Sequence, residues 1–155
     1  MIRLDLHFES RSQFNVCGYC VETSLETCEK DLSQLWHDFD VKKTALFDLF
    51  GYRKDFYGLM WKTQGSRYCY LIGIQVDSIE QAPEGASEKS IPAAYYAVAS
   101  VPPSISAFEA WTQYYEKILP DAGYAPNAGH GFDFEYYPNG EHGTYEMWTP
   151  VEKIF

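Results

Sequence analysis

Basic residues are scarce in this chain: 12 Lys and Arg stand against 22 Asp and Glu, for a formal net charge of −10. That imbalance disfavours nonspecific attraction to nucleic acid or an anionic membrane and favours cationic ligands or a basic protein partner. Long apolar runs are missing too, none approaching the roughly 20 residues that cross a bilayer. Met1-Ile2-Arg3-Leu4-Asp5 has no secretory hydrophobic segment, so a soluble, cytoplasmic protein with no membrane contact is the expectation. Sulfur ligands are few: Cys17, Cys20, Cys28 and Cys69. Cys17-Gly-Tyr-Cys20 has redox or zinc spacing, yet it falls inside a predicted strand and lacks two further spaced ligands. Buried, reduced thiols are expected instead. His7, His37, His130 and His142 show no metal spacing, and the last two, beside glycines, read as loop surface. His130 with Asp133 and Glu135 makes only a weak metal pattern. No serine sits in a nucleophile elbow and no glycine-rich loop follows a strand to cradle phosphate; no cofactor is implied.

Aromatic rings are what the chain has in excess. Of 155 residues, 13 are Tyr, 10 Phe and 4 Trp, and hydrophobic residues make up 46%. This is enough for one domain over residues 1–155 with a sizeable core. Tyrosine in such number suits apolar walls that still hydrogen-bond, as in a pocket or a partner surface.

Periodicity sets out the elements. Residues 2–8 alternate as a half-buried strand, and Phe14–Thr23 form a second. Thr23-Ser24-Leu25-Glu26 offers a capping box for a first helix in which Leu25, Cys28, Leu32, Leu35, Trp36 and Phe39 recur at helical spacing, ending near Asp40. Residues 41–54 fit either a loop or a short helical turn. Phe56–Thr63 and Tyr68–Ser78 read as paired strands, with Gly73 marking a bulge or a close approach. Residues 79–90, with Pro83 and Glu84-Gly85, read as a surface connection. A strand from Ala94 to Val101 follows and ends at Pro102-Pro103. Ser106-Ala107-Phe108-Glu109 is a second capping box, and Phe108, Trp111, Tyr115, Ile118 and Leu119 form the stripe of a helix that stops before Pro120 and Gly123, the expected breakers.

The chain closes on a hairpin, Gly131–Tyr137 answered by Thr144–Pro150. Alternation puts Asp133, Glu135 and Tyr137 on one face of its first strand, and Glu146 and Trp148 on one face of its second. Carboxylates among rings must be solvated, paired, protonated or matched to a cation. Residues 14–78 and 94–151 both read strand-helix-strand-strand. The fold expected is therefore α+β: duplicated units about a pseudo-twofold axis, helices packed on an antiparallel sheet, and a groove at the seam between repeats.

Tyr70-Leu71-Ile72-Gly73-Ile74-Gln75-Val76-Asp77, then Pro83-Glu84-Gly85, then Ile91-Pro92-Ala93-Ala94-Tyr95-Tyr96-Ala97-Val98 resemble the GyrI-like small-molecule-binding family, whose members include effector domains of AraC- and MerR-type multidrug regulators. Phe108-Glu109-Ala110-Trp111, Leu119-Pro120-Asp121-Ala122-Gly123-Tyr124, Phe134-Glu135-Tyr136-Tyr137 and Glu146-Met147-Trp148-Thr149-Pro150 follow in the same order, so the resemblance covers about residues 14–151. It implies a stand-alone effector-binding protein whose groove takes cationic, amphipathic or aromatic compounds. Matched position by position, it points to Glu135 and Glu146, with Trp111, Trp148 and, more weakly, Tyr70. Trp36 and Tyr96 join them as candidate ring walls, although each indole could equally be a core contact of its helix. Val101-Pro102-Pro103-Ser104-Ile105 departs from the glycine-containing turn of the family. Residues ahead of Phe14 read as a strand rather than a DNA-binding unit, so no direct DNA binding is expected. Two other readings stay open: a hydrolase of cyclopropane-type toxins using Glu135 or Glu146, or an acidic inhibitor of a gyrase-like enzyme. An aromatic-rich surface would also suit a homodimer.

Overall fold

The computed structural model describes residues 4–77, 82–127 and 129–154. The predicted strand start at Ile2, the Ser78 end of the fourth predicted strand and the first part of the 79–90 connection lie outside them. In chain order the elements are β1 (Asp5–Arg11), β2 (Phe14–Ser24), α1 (Cys28–Phe50), β3 (Phe56–Lys62), β4 (Arg67–Val76), β5 (Ser87–Ile91), β6 (Ala94–Val101) and α2 (Ala107–Gln113). A π-helical turn (Tyr114–Ile118), α3 (Leu119–Asp121), β7 (Tyr124–Pro126), β8 (Asp133–Tyr137) and β9 (Tyr145–Lys153) complete the described chain. The two repeats are β2-α1-β3-β4 and β6-α2-β8-β9, and β3 pairs with β8 to join them into one sheet. This is the α+β architecture read from the sequence, including the strand expected over residues 2–8, observed as β1, with two short additions, β5 and β7.

Strand order is β1-β6-β9-β8-β3-β4-β2-β5, all pairs antiparallel, with β7 beside β9. The ends of this order are tied together twice. β1 leaves its pairing at Arg11↔Ala94, and β2 resumes at Phe14↔Ile91 after two residues; β5 reaches β6 through Pro92-Ala93. Links that short span at most about 11 Å, so the sheet must roll up on itself. Two cores result. Cys17, Ile72, Ile74, Ala97, Ala99 and Met147 face the helices, whereas Phe14, Leu59, Leu71, Tyr96, Phe134 and Trp148 fill the inside of the roll.

Rolling requires a close approach where β2 crosses β4. Gly18 pairs with Gly73, and a Cβ on Gly73 would lie 2.3 Å from the Cys17 carbonyl oxygen, a backbone atom that cannot swing aside. The close approach expected at Gly73 is thus real.

α1 differs from the expectation at both ends. The Thr23–Glu26 box does not cap it; Thr23 and Ser24 end β2, Leu25–Thr27 turn with Thr27 N–H donating to the Ser24 carbonyl (3.2 Å), and the helix begins at Cys28. Leu25 is left 64% exposed, outside the stripe assigned to it. Residues 41–50 are helix because Leu46 extends the buried stripe of Leu35 and Phe39, with Phe47 and Phe50 packed beside it. Gly51, at φ 94°, ends the helix with its N–H on the Phe47 carbonyl (2.8 Å).

In the second repeat Ser106 does cap α2, its hydroxyl accepting from Glu109 N–H at 3.2 Å. Phe108, however, is 65% exposed and leaves Ala110 as the only buried residue of α2. The helix also passes through Pro120 and ends before Gly123, the second of the two expected breakers. It widens into the π turn and runs on through α3, which places two consecutive tyrosines against the sheet: Tyr114 donates to the Ala97 carbonyl (2.6 Å) and Tyr115 to Asp133. Of the cysteines, only Cys17 is fully buried; Cys20 of β2 is exposed and Cys69 of β4 intermediate, because these strands turn alternate residues outward, and Cys28, at the start of α1, is intermediate too. All four are free thiols. No helix among the described residues is long and apolar enough to cross a membrane.

Since the obstacle at Gly73 is backbone, Gly73→Ala is expected to destabilise the protein by ~2–4 kcal/mol. Urea unfolding followed by far-UV circular dichroism measures this; a loss below ~0.5 kcal/mol would mean that β2 and β4 can separate freely.

Candidate functional site

Register decides which face each carboxylate takes. Glu135 pairs with Met147 and Gly58, both on the helix side, whereas Glu146 pairs with Tyr136 and Ser100. Glu135 therefore points between the helices, and Glu146 does not. The structure separates the two glutamates that the sequence grouped together.

Around Glu135, which is 3% exposed, three neutral donors converge. Tyr70 O–H (2.5 Å) and Tyr137 O–H (2.6 Å) donate to Oε1, and the Trp111 indole N–H donates to Oε2 at 2.7 Å. Tyr70 reaches its position from β4 by crossing Gly58 of β3. A Cβ at Gly58 would come within 2.2 Å of the Tyr70 hydroxyl and 3.3 Å of Glu135 Oε1. Burial, followed by the charge of Glu135, holds the Tyr70 and Tyr137 hydroxyls well above the ordinary phenol range, so both stay protonated and able to donate. No Lys, Arg or His among the described residues forms an ion pair with this carboxylate.

Rings close the surroundings. Trp36 of α1 meets Tyr137 edge-on at 5.0 Å, Tyr145 stacks on Tyr137 at 5.0 Å, and Trp111 stacks on Tyr115 at 5.4 Å. Asp133, two residues ahead on the same face, accepts a short hydrogen bond from Tyr115. Burial pushes the Asp133 carboxyl up to about 6, partly offset by Tyr115 and Thr149.

Of the residues nominated from sequence, Glu135, Tyr70, Trp111 and Trp36 come together here. Glu146, Trp148 and Tyr96 lie on the other face. Trp148 N–H donates to Glu146 (3.0 Å), Tyr96 packs on Phe134 and Trp148, and the Arg11 guanidinium lies 3.7 Å over Phe14 and 5.3 Å over Trp148. An odd residue offset across the β8–β9 pair is enough to divide them. Sequence reasoning missed Tyr137 and Tyr145 as members of the cage and Tyr115 as the partner of Asp133. Alternation had already put Asp133 and Tyr137 on the face of Glu135, which was the available signal. His130, read as loop surface, is half-buried against Tyr96 and Phe132, and its Nε2 meets the Pro92 carbonyl at 3.1 Å. No group of three metal-ligating side chains occurs among the described residues. The open concavity of about 460 Å³ lies elsewhere, beside α1, lined by Tyr19, Val41, Lys42 and Asp48 among others.

A family model described as Cass2, integron-associated effector binding protein, matches residues 8–151. No curated protein sequence matches significantly. Several solved structures share the fold. SAV2435 bound to tetraphenylphosphonium is 14% identical, with 96% of this chain and 94% of that one covered and a TM-score of 0.70. An integron cassette protein from the mobile metagenome of Vibrio cholerae is 15% identical, with 95% of each chain covered and a TM-score of 0.70. The C-terminal domain of EcmrR is 11% identical, with 98% and 99% covered and a TM-score of 0.66.

Asp133 makes stability pH-dependent in an unusual direction. Its folded-state value of about 6 lies above the ordinary 3.8, so between those values the folded chain binds more protons than the unfolded one. Stability therefore rises on acidification through this window and is lost as pH rises through about 6. Asp133→Asn, which keeps an acceptor for Tyr115, is expected to be more stable than the parent at pH 7.5 by ~1–2 kcal/mol, discounted for partial exposure. The gap should close by about pH 4, read from melting temperatures across that range; a parallel pH dependence in both proteins contradicts this.

Proposed function

The chain belongs to the integron-associated effector-binding family typified by Cass2, within the GyrI-like effector-binding domains, and from that premise we propose that its helix-side groove takes up an amphipathic organic cation, with Glu135 as the countercharge. The observation that carries this reading is a carboxylate 3% exposed, satisfied by three neutral donors and paired with no cation among the described residues. Such a group leaves an attraction for positive charge that the protein itself does not neutralise.

Recognition follows from the surroundings. Tyr70 and Tyr137 hold the carboxylate in place, while Trp36 and Tyr145 supply ring faces for cation–π contacts of ~0.5–2 kcal/mol each. Trp111 occupies the position against Oε2, so a ligand takes that place by displacing the indole. α2 lends itself to this: Ala110 is its only buried residue, and the π turn behind it can act as the pivot. The chain then works as one ligand-binding domain, in the cytoplasm, reporting or sequestering its ligand. The tetraphenylphosphonium bound by SAV2435 makes lipophilic phosphonium the natural first probe.

Titration with tetraphenylphosphonium, followed by tryptophan fluorescence, tests the reading. Saturable quenching is expected, since Trp111 is displaced, with no response to the neutral tetraphenylmethane analogue. Glu135→Gln should weaken binding ~10–100-fold. No saturable response, or unchanged affinity in the variant, would sink the proposal; product accumulating beyond one equivalent with an electrophilic ligand would make the groove that of a hydrolase.

A further inference from the structure

One face of β8 carries a second carboxylate that the cation-binding reading leaves unused. Asp133 and Glu135 are two residues apart and project to the same side, which sets their carboxylates roughly 7 Å apart, twice the strand rise. A single stretch of helix covers both: Trp111 donates to Glu135 and Tyr115 to Asp133. These two caps stack on each other with planes 26° apart, so they move as a unit. Withdrawing one from its carboxylate withdraws the other.

One buried polar atom beside the pair has no hydrogen-bond partner among the described residues: the Tyr145 hydroxyl, on a residue 5% exposed, in the ring stacked on Tyr137. An unpartnered hydroxyl next to one buried and one half-buried carboxylate describes a site with capacity for more ligand than one charge. Resting on the cation-binding reading, we infer that this groove selects flat aromatic dications, one positive centre on Glu135 and the other, about 7 Å away, on Asp133.

The physical case is one of charge balance. Once the helix caps leave, a monocation neutralises only one carboxylate, and the other must stay desolvated or take up a proton. Asp133, already pushed up to about 6 by burial, is the one that protonates. The groups facing it are Tyr114 and Tyr115 from the helix, Lys62 of β3, His130 ahead of β8, and Glu135 on its own strand. None of the cations among them makes an ion pair with it among the described residues. A rigid dication satisfies both carboxylates without proton uptake.

Methyl viologen, whose two ring nitrogens are held apart at that spacing, can be compared calorimetrically with its monocationic isostere in which phenyl replaces one pyridinium ring. At pH 8 the viologen is expected to bind at least about tenfold more tightly. Acidification to pH 5 should shrink that ratio toward unity, in His130→Gln as in the parent; a shrinkage lost in His130→Gln would assign the titration to the histidine and overturn the inference. Asp133→Asn should collapse the ratio, whereas Glu135→Gln should weaken both ligands. Equal affinities at pH 8, or a ratio indifferent to Asp133→Asn, overturn the dication inference and leave the cation reading standing. Binding of neither probe to the parent removes both. The pH profile of the parent needs no variant to fold.

Discussion

Three neutral donors on one buried carboxylate tie the two repeats together. Tyr70 comes from the first repeat, Tyr137 and Trp111 from the second, and all three meet on Glu135. A hydrogen bond to a charged group contributes ~1.5–3 kcal/mol, and a buried carboxylate stripped of its donors costs more than that. The seam between repeats is thus held by polar contacts inside an apolar wall. Its geometry then propagates outward: β3 must carry glycine at position 58 for the Tyr70 ring to pass, and α2 must sit where the Trp111 indole can reach Oε2.

The rolled sheet is the second constraint, and it explains why the molecule has two aromatic clusters with different chemistry. Inside the roll, Arg11 supplies the positive charge that lies over Phe14 and Trp148, and Glu146 has the Trp148 N–H. Groups of both signs are therefore present there. On the helix side Glu135 and Asp133 have donors, and neither makes an ion pair among the described residues. Two sets of rings with similar composition therefore differ in electrostatics, and the helix-side one carries two carboxylates without an ion-pair partner among the described residues.

Most of this architecture was legible in the sequence, because strand alternation, the helical stripes and the duplicated order are local signals. Alternation alone placed Asp133, Glu135 and Tyr137 on a common face. Cross-strand register is not local. Whether Glu135 sits opposite Glu146 or opposite Met147 depends on one residue of offset in the β8–β9 pair, and no property of either strand by itself determines it. The long α1 was missed beyond Asp40 because exposed Val41 and Leu49 blur the apolar stripe that Leu46 continues. The π turn was hidden for a related reason: Tyr114 and Tyr115 both face the sheet, a pattern that the 3.6-residue period does not allow.

In the binding mode we propose, Trp111 gives the site its discrimination. In the closed state the indole contributes one charge-assisted hydrogen bond and its own burial, so anything entering must offset a loss of a few kcal/mol. A neutral aromatic ligand can replace the ring area but not the hydrogen bond, and it leaves Glu135 with an unmet Oε2. A cation replaces both, and adds a Coulomb attraction that strengthens as water is excluded. The preference for charge that we propose therefore comes from what the ligand must displace as much as from the carboxylate that attracts it. Retaining Tyr70 and Tyr137 on Oε1 would keep the carboxylate oriented throughout, so the binding we propose reorganises one side of the groove only, through α2, whose one buried residue is Ala110.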